Sequence, residues 1–142
     1  MFNTIAWATD GSEAADSALP AVRHLAKQGN AKVVVIHVAE VALSRAGRVP
    51  AHADEPSLEQ KVRDQAKQLN DEGIPTTVDL STGLEIPAHA IAERAKELGA
   101  DLIVVGTRGH GPVAGLLLGS VTQRLLHIAH CPVLAVPPGA GA

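Results

Sequence analysis

Apolar residues occur along the chain in short continuous runs that are separated by longer amphipathic segments. Two runs, residues 32–39 and 101–105, are almost entirely aliphatic. Runs of this kind are typical of strands that helices cover on both faces of a parallel sheet. Shorter apolar runs at 4–8 and 132–136, and an alternating run at 76–80, predict three further strands. The pattern therefore predicts five strands.

The segments between these runs have the apolar spacing of helices. The first predicted helix follows Ser12, a favoured capping residue, and ends at Gly29–Asn30. Pro20 lies inside it and predicts a kink, because proline lacks a backbone N–H. Three more helices are predicted: 57–73, opened by a capping box at Ser57; 87–99, opened by Pro87; and 120–128, capped by Ser120. Residues 40–56 show no firm periodicity and predict one long loop.

Strands that alternate with helices indicate a parallel sheet with right-handed crossovers. We therefore predict one α/β domain over residues 1–142, with a doubly wound, five-stranded parallel sheet of order 3-2-1-4-5 and four helices on its two faces. The length of 142 residues fits one domain. Trp7 and Phe2 are the only aromatic residues, so the core must consist of aliphatic side chains and alanine.

Composition excludes several classes of protein. A net charge of −3 and a pI near 6.1 argue against nucleic-acid binding, which needs a basic face, and aromatic stacking platforms are missing. No apolar run approaches the roughly 18 residues of a membrane span, and no signal peptide is evident, so no membrane partner is predicted. The single cysteine, Cys131, rules out an internal disulfide and fits a reducing compartment. These features predict a cytoplasmic protein.

Two glycine-containing turns follow predicted strands and carry the candidate chemistry. Ligands of open parallel sheets bind at the carboxyl ends of strands where the winding direction reverses. In the predicted strand order this point lies between strands 1 and 4. Thr9-Asp10-Gly11 after strand 1 and the Gly106–Ser120 loop after strand 4 are therefore expected to lie in one crevice. The loop has five glycines and runs into a helix N-terminus, a pattern that favours a bound phosphate. Arg108 is a candidate counter-charge, and Asp10 is a candidate ligand for a metal ion or a ribose hydroxyl.

Plainer interpretations stay open for individual residues. The glycines alone fit a flexible surface loop, Asp10 alone fits a turn or a helix cap, and Arg108 alone fits a solvated charge. The loop is not a P-loop, because no lysine follows Lys96. The histidines and the cysteine in residues 127–131 do not complete a four-ligand zinc set. No nucleophile elbow occurs, so no catalytic residue is predicted.

The spacing Gly106-x2-Gly109-x9-Gly119-Ser120, followed by Val121-Thr122, resembles the signature of the universal stress protein family in its ATP-binding branch. Asp10-Gly11-Ser12 after strand 1 and His37-Val38 at the end of strand 2 match the same family. The resemblance covers residues 3 to 137. It implies a Rossmann-like fold of the adenine nucleotide alpha hydrolase type.

The resemblance also implies a nucleotide held between the ends of strands 1 and 4 and the Gly106–Ser120 loop. The implied site residues form three groups: Ala8, Thr9, Asp10 and Val38 around the adenine and ribose; Val105, Gly106, Arg108 and Gly109 at the ribose and phosphate entry; and Gly119, Ser120, Val121 and Thr122 at the phosphates. The implied cofactor is ATP, commonly with magnesium, for which Asp10 is the candidate protein ligand.

By the same resemblance, the expected function is an adenine-nucleotide-binding regulatory protein of the stress response. Alternatives are a slow ATPase or phosphotransferase, for which Asp10 is the only available base, and a module that binds AMP, cyclic AMP or no nucleotide. The family also forms dimers, often through its last strand. Residues 133–136 are apolar throughout although they lie at a predicted sheet edge, which is an independent reason to expect a homodimer.

Overall fold

Strands and helices alternate along the chain as the sequence predicts. The structure is a computed structural model that describes residues 1–45, 47–50, 55–83, 87–107 and 119–138. Within these ranges lie six strands, β1 Thr4–Ala8, β2 Lys32–Ser44, β3 Gly47–Pro50, β4 Thr76–Gly83, β5 Leu102–Gly106 and β6 Val133–Val136, and five helices, α1 Glu13–Asp16, α2 Leu19–Gly29, α3 Glu55–Asp71, α4 Pro87–Glu97 and α5 Ser120–Ile128.

Five parallel strands form the central sheet in the order β4-β2-β1-β5-β6. Counted along the chain, the parallel strands have the predicted order 3-2-1-4-5, and the predicted fold class is confirmed. β1 lies in the middle, where its last pair with β2 is Ala8↔Ile36 and its last pair with β5 is Trp7↔Val104. The carboxyl ends of β1 and β5 therefore lie beside the middle of β2, which continues to Ser44 beyond this edge of the sheet.

Two hydrophobic cores lie on opposite faces of the sheet. Odd-numbered residues of β1 and β2, such as Trp7 and Val35, pack with α2 and α3, whereas even-numbered residues, such as Ala8 and Ile36, pack with α4 and α5. Both faces of these strands are buried, which explains their continuous apolar sequence. No helix in the described ranges is long and apolar enough to cross a membrane.

The first predicted helix is divided into α1 and α2. Ser12 Oγ accepts a hydrogen bond from the Ala15 N–H at 3.1 Å, so the predicted cap is confirmed. Pro20 lies in the first turn of α2, where its missing N–H needs no helical partner. Pro20 therefore starts a second helix instead of kinking one. α2 ends as predicted, with Asn30 in the left-handed conformation at a φ of 55°.

The predicted loop over residues 40–56 is wrong in part. β2 continues to Ser44, and the chain reverses into the antiparallel strand β3 with Ser44 paired to Gly47. Gly47 has a φ of 101°, a conformation that glycine adopts without steric cost in a tight turn. α3 begins at Glu55, so Ser57 lies inside the helix and the predicted capping box is wrong.

Candidate functional site

The end of β5 and the start of α5 are joined beside the end of β1. The Thr107 N–H donates to the Val136 carbonyl at 3.1 Å, and the Thr107 carbonyl accepts from the Gly119 N–H at 2.5 Å. Gly119, one residue before the predicted Ser120, is the N-cap of α5. These bonds fix the start of α5 against the end of β5. The two halves of the predicted site therefore meet at one edge of the sheet.

The turn after β1 is held by its own side chains. Thr9 Oγ1 accepts from the Gly11 N–H at 3.0 Å, and Asp10 Oδ1 accepts from the Ser12 N–H at 2.9 Å. Gly11 has a φ of 83°, in the left-handed region that favours glycine. Asp10 therefore has the turn role that its sequence context allows. Its contact with a ligand stays a prediction.

Helix α3 packs on this turn and holds it in place. Lys61 Nζ lies 2.7 Å from the Gly11 carbonyl and 2.7 Å from Asp16 Oδ2, and Gln65 Nε2 donates to Asp16 Oδ1 at 2.8 Å. A Cβ atom on Gly11 would lie 2.8 Å from Leu58 Cδ2. Glycine is therefore favoured at position 11 by its φ, and any larger residue would also displace the Leu58 side chain of α3.

Gly106, the last residue of β5, has no room for a side chain. A Cβ atom at this position would lie 2.6 Å from the Ala14 carbonyl oxygen and 3.2 Å from Ala15 Cα, so the backbone of α1 fills the space. The Gly106 carbonyl accepts a hydrogen bond from Thr122 Oγ1 at 2.8 Å, and Thr122 is buried. Gly106 thus joins α1, β5 and α5 at the base of the site.

We expect Thr122→Val to destabilise the fold by about 1–2 kcal/mol, because it leaves the buried Gly106 carbonyl without its hydroxyl donor. Thr122→Ser is the matched control, since serine keeps the hydroxyl and loses only a methyl group. Denaturant unfolding of the three proteins measures the difference. Equal midpoints for the valine variant and the parent protein would show that the bond contributes nothing.

The first turn of α5 offers unpaired backbone donors. The first hydrogen bond of the helix runs from the Gln123 N–H to the Gly119 carbonyl, so the N–H groups of Ser120, Val121 and Thr122 precede it without helical partners. No acidic side chain lies in this turn, and Ser120 is exposed. The positive end of the helix dipole and these N–H groups therefore favour an anion.

Ala8, Val38 and Val105 form an apolar wall on adjacent strands. All three belong to the face of the sheet that α4 and α5 cover; Ala8 and Val105 are 5% and 4% exposed, and Val38 is half-buried. The resemblance implied a place near the nucleotide for each of them. The structure places Ala8 and Val105 near the ends of β1 and β5, and Val38 in the part of β2 just beyond its last pair with β1.

The backbone of Val38 points toward the site. The Lys32 N–H donates to the Asn3 carbonyl, and the Ile36 carbonyl accepts from the Thr9 N–H, both at 3.0 Å, so even-numbered residues of β2 turn their peptide groups toward β1. Val38 has the same orientation by the alternation of the strand. It lies two residues beyond Ile36, the last β2 residue paired with β1. Its N–H and C=O therefore face the space above the end of β1.

Sequence reasoning used His37 only as part of the family match and gave it no role, and it missed Glu55. His37 is 2% exposed, with Nδ1 2.9 Å from the Thr9 carbonyl and Nε2 2.5 Å from Glu55 Oε1, and Glu55 is 5% exposed. The signal for His37 is a single histidine inside an aliphatic strand. Glu55 gave none, because it lies in the predicted loop and becomes a neighbour only through the fold.

Other predicted residues lie away from these contacts or outside the described residues. Arg108 and Gly109 fall in the segment 108–118, which the structure does not describe. His130 Nε2 lies 3.0 Å from the Ala100 carbonyl, and burial raises the pKa of the Cys131 thiol. Among the described residues, no group of three or more histidine, cysteine or acidic side chains is placed to hold a metal ion.

Comparison with known proteins decides the family, since the model of the universal stress protein family matches residues 1–137. The chain belongs to this family. It is 36% identical to the universal stress protein YxiE of Bacillus subtilis, over 96% of this chain and 99% of that protein. The solved structure of hypothetical protein MJ0577 has a TM-score of 0.78 at 27% identity and 96% coverage of each chain. A universal stress protein in complex with cAMP has a TM-score of 0.69 at 27% identity, covering 96% of this chain and 97% of that one.

Proposed function

We propose that this universal stress protein is a cytoplasmic regulator that binds ATP at the carboxyl ends of β1 and β5, beside Val38 of β2. The observation that carries the proposal is the Val38 peptide, whose N–H and C=O face the space above β1. Adenine has a ring acceptor, N1, beside an amino donor, N6. The Val38 N–H can donate to N1 while the Val38 C=O accepts from N6. The cAMP complex of a relative that is 27% identical supports an adenine nucleotide here.

The phosphates belong at the start of α5 in this proposal. The N–H groups of Ser120, Val121 and Thr122, which have no helical partners, and the dipole of α5 favour an anion. Thr122 acts through its backbone, because its hydroxyl donates to the Gly106 carbonyl. Arg108 and Gly109 stay part of the proposed site on the evidence of the sequence.

Magnesium fits this arrangement as a companion of the phosphates. The ion commonly binds through substrate phosphates and one or two carboxylates, and Asp10 is the carboxylate of the turn after β1. The Ser12 N–H donates to Asp10 Oδ1, which orients the carboxylate within the turn. The proposed activity is binding. We assign no residue to hydrolysis.

Calorimetric titration of the purified protein with ATP, AMP, cyclic AMP and GTP, each with and without magnesium, tests the proposal. We expect ATP to bind with a Kd below about 1 mM, which corresponds to about 4 kcal/mol. GTP is the matched control, because guanine presents an acceptor at O6 and a donor at N1, the reverse of adenine. We expect GTP to bind at least tenfold more weakly. No binding of any adenine nucleotide, or equal binding of GTP, would refute the proposed site.

We also propose a homodimer that pairs β6 with its counterpart in a second copy. Among the described strands, β6 pairs only with β5, and Leu134 on β6 and Leu126 on α5 are 38% and 50% exposed. The Ile103 and Thr107 N–H groups donate to the carbonyls of residues 132 and 136, so the peptide groups of residues 133 and 135 point away from β5. An apolar edge with outward peptide groups favours pairing with another strand.

A further inference from the structure

The ladder between β1 and β2 stops one hydrogen bond earlier than its geometry allows. The Lys32 N–H donates to the Asn3 carbonyl at the start of the ladder, and the Thr9 N–H donates to the Ile36 carbonyl at its end. The next step of this parallel pattern is a bond from the Val38 N–H to the Thr9 carbonyl. No such bond forms between these two described residues.

The Thr9 carbonyl instead accepts a hydrogen bond from a side chain. His37 Nδ1 lies 2.9 Å from it, and because a carbonyl only accepts, Nδ1 carries the proton. His37 projects to the face of the sheet that α3 covers, whereas Val38 projects to the opposite face. The imidazole therefore directs the Thr9 carbonyl toward α3 and away from the Val38 N–H.

We propose that His37 is a positioning residue of the nucleotide site, which keeps the Val38 N–H available to the base by occupying the Thr9 carbonyl. This inference rests on the proposed nucleotide site. Glu55 fixes the imidazole from the other side, since its Oε1 lies 2.5 Å from Nε2. The hydrogen bond between Nε2 and Oε1 needs one hydrogen in addition to the one on Nδ1. That hydrogen is on the imidazole or on the carboxyl group.

The His37–Glu55 pair also connects the proposed adenine site to α3. Glu55 is the first residue of α3, and the same helix holds the turn after β1 through Lys61 and the Gly11 carbonyl. A buried pair formed by a histidine of an aliphatic strand and an acid of a neighbouring helix gives little net stability, because desolvation offsets the attraction between them. A positioning role accounts for a polar pair at a place where leucine would pack.

The test uses two double variants that both remove the buried carboxylate. His37→Asn with Glu55→Leu keeps a donor at the position of Nδ1, because asparagine Nδ2 superposes on it, whereas His37→Leu with Glu55→Leu has no donor. The ligands are ATP and the ATP analogue in which C–H replaces N1. We expect the parent protein and the asparagine variant to prefer ATP by about fivefold to tenfold, the effect of one hydrogen bond. We expect the leucine variant to bind ATP and the analogue with equal affinity, and its affinity to depend on the phosphates as that of the parent protein does.

A second measurement does not depend on a ligand. Amide hydrogen exchange should be faster at Val38 than at Ile36 in the parent protein and in the asparagine variant, and it should slow at Val38 in the leucine variant when the ladder gains its missing bond. An unchanged ATP preference together with unchanged exchange at Val38 would overturn the role of His37. A parent protein that binds no adenine nucleotide but shows the expected exchange would overturn the proposed function and leave the role of His37 in the ladder standing.

Discussion

Replacing Gly106 with alanine is expected to destabilise the fold by about 3 kcal/mol and to weaken nucleotide binding at least tenfold. The added Cβ would lie 2.6 Å from the Ala14 carbonyl oxygen, and backbone cannot rotate away as a side chain does. α1 must therefore shift away from β5. Because α1 begins directly after the turn that contains Asp10, the shift moves one half of the proposed site relative to the other. Thermal unfolding and ATP titration measure the two effects.

Gly73→Ala is the control for this prediction. Gly73 has a φ of 89° but nothing within 4 Å of an added Cβ, so alanine there tests conformational strain without a steric clash. We expect a cost of about 1 kcal/mol and unchanged ATP affinity, because the residue lies between α3 and β4, away from the site. If Gly106→Ala is no more harmful than Gly73→Ala, the contact between α1 and β5 does not hold the site together.

The sequence allows the frame of the site to be predicted because the signals are local. Continuous aliphatic runs mark the strands at residues 32–39 and 101–105, and the alternation with helices fixes a parallel sheet in which β1 lies between β2 and β5. The capping role of Ser12 and the turn after β1 are also local, since each donor and acceptor lies within three residues of its partner.

The contacts that complete the site are long-range and escape such reasoning. In the sequence, Gly106 indicates a residue that lets a ligand approach the backbone. The structure gives a second reason for glycine at this position, the close approach of α1 at Ala14, 92 positions earlier in the chain. Glu55 meets His37 only because β2 and α3 pack together. The sequence does not predict the hairpin of β2 and β3, because residues 40–56 have no clear periodicity. A single glycine at position 47 is not sufficient to predict a turn.

Replacing Ala135 with proline is expected to dissociate the proposed homodimer without unfolding the protein. The Ile103 and Thr107 N–H groups donate to the carbonyls of residues 132 and 136, so even-numbered residues turn their peptide groups toward β5. The Ala135 N–H therefore points away from β5. Proline on an edge strand removes this outward donor and leaves the β5–β6 ladder intact. Since a two-fold axis applies the change twice, the dimer dissociation constant should rise roughly 100-fold. Sedimentation equilibrium of the parent protein and the variant measures this shift.

Ala135→Ser is the matched control, because serine retains the N–H and should leave the dimer unchanged. ATP titration of the proline variant checks the fold, since Ala135 lies on β6, outside the proposed nucleotide site. A proline variant that binds ATP and sediments as a monomer would support pairing through the outer edge of β6. A variant that stays dimeric would place the interface elsewhere, and the exposed Leu126 on α5 then becomes the next residue to replace with a charged side chain. A parent protein that is monomeric at micromolar concentration would refute the dimer itself.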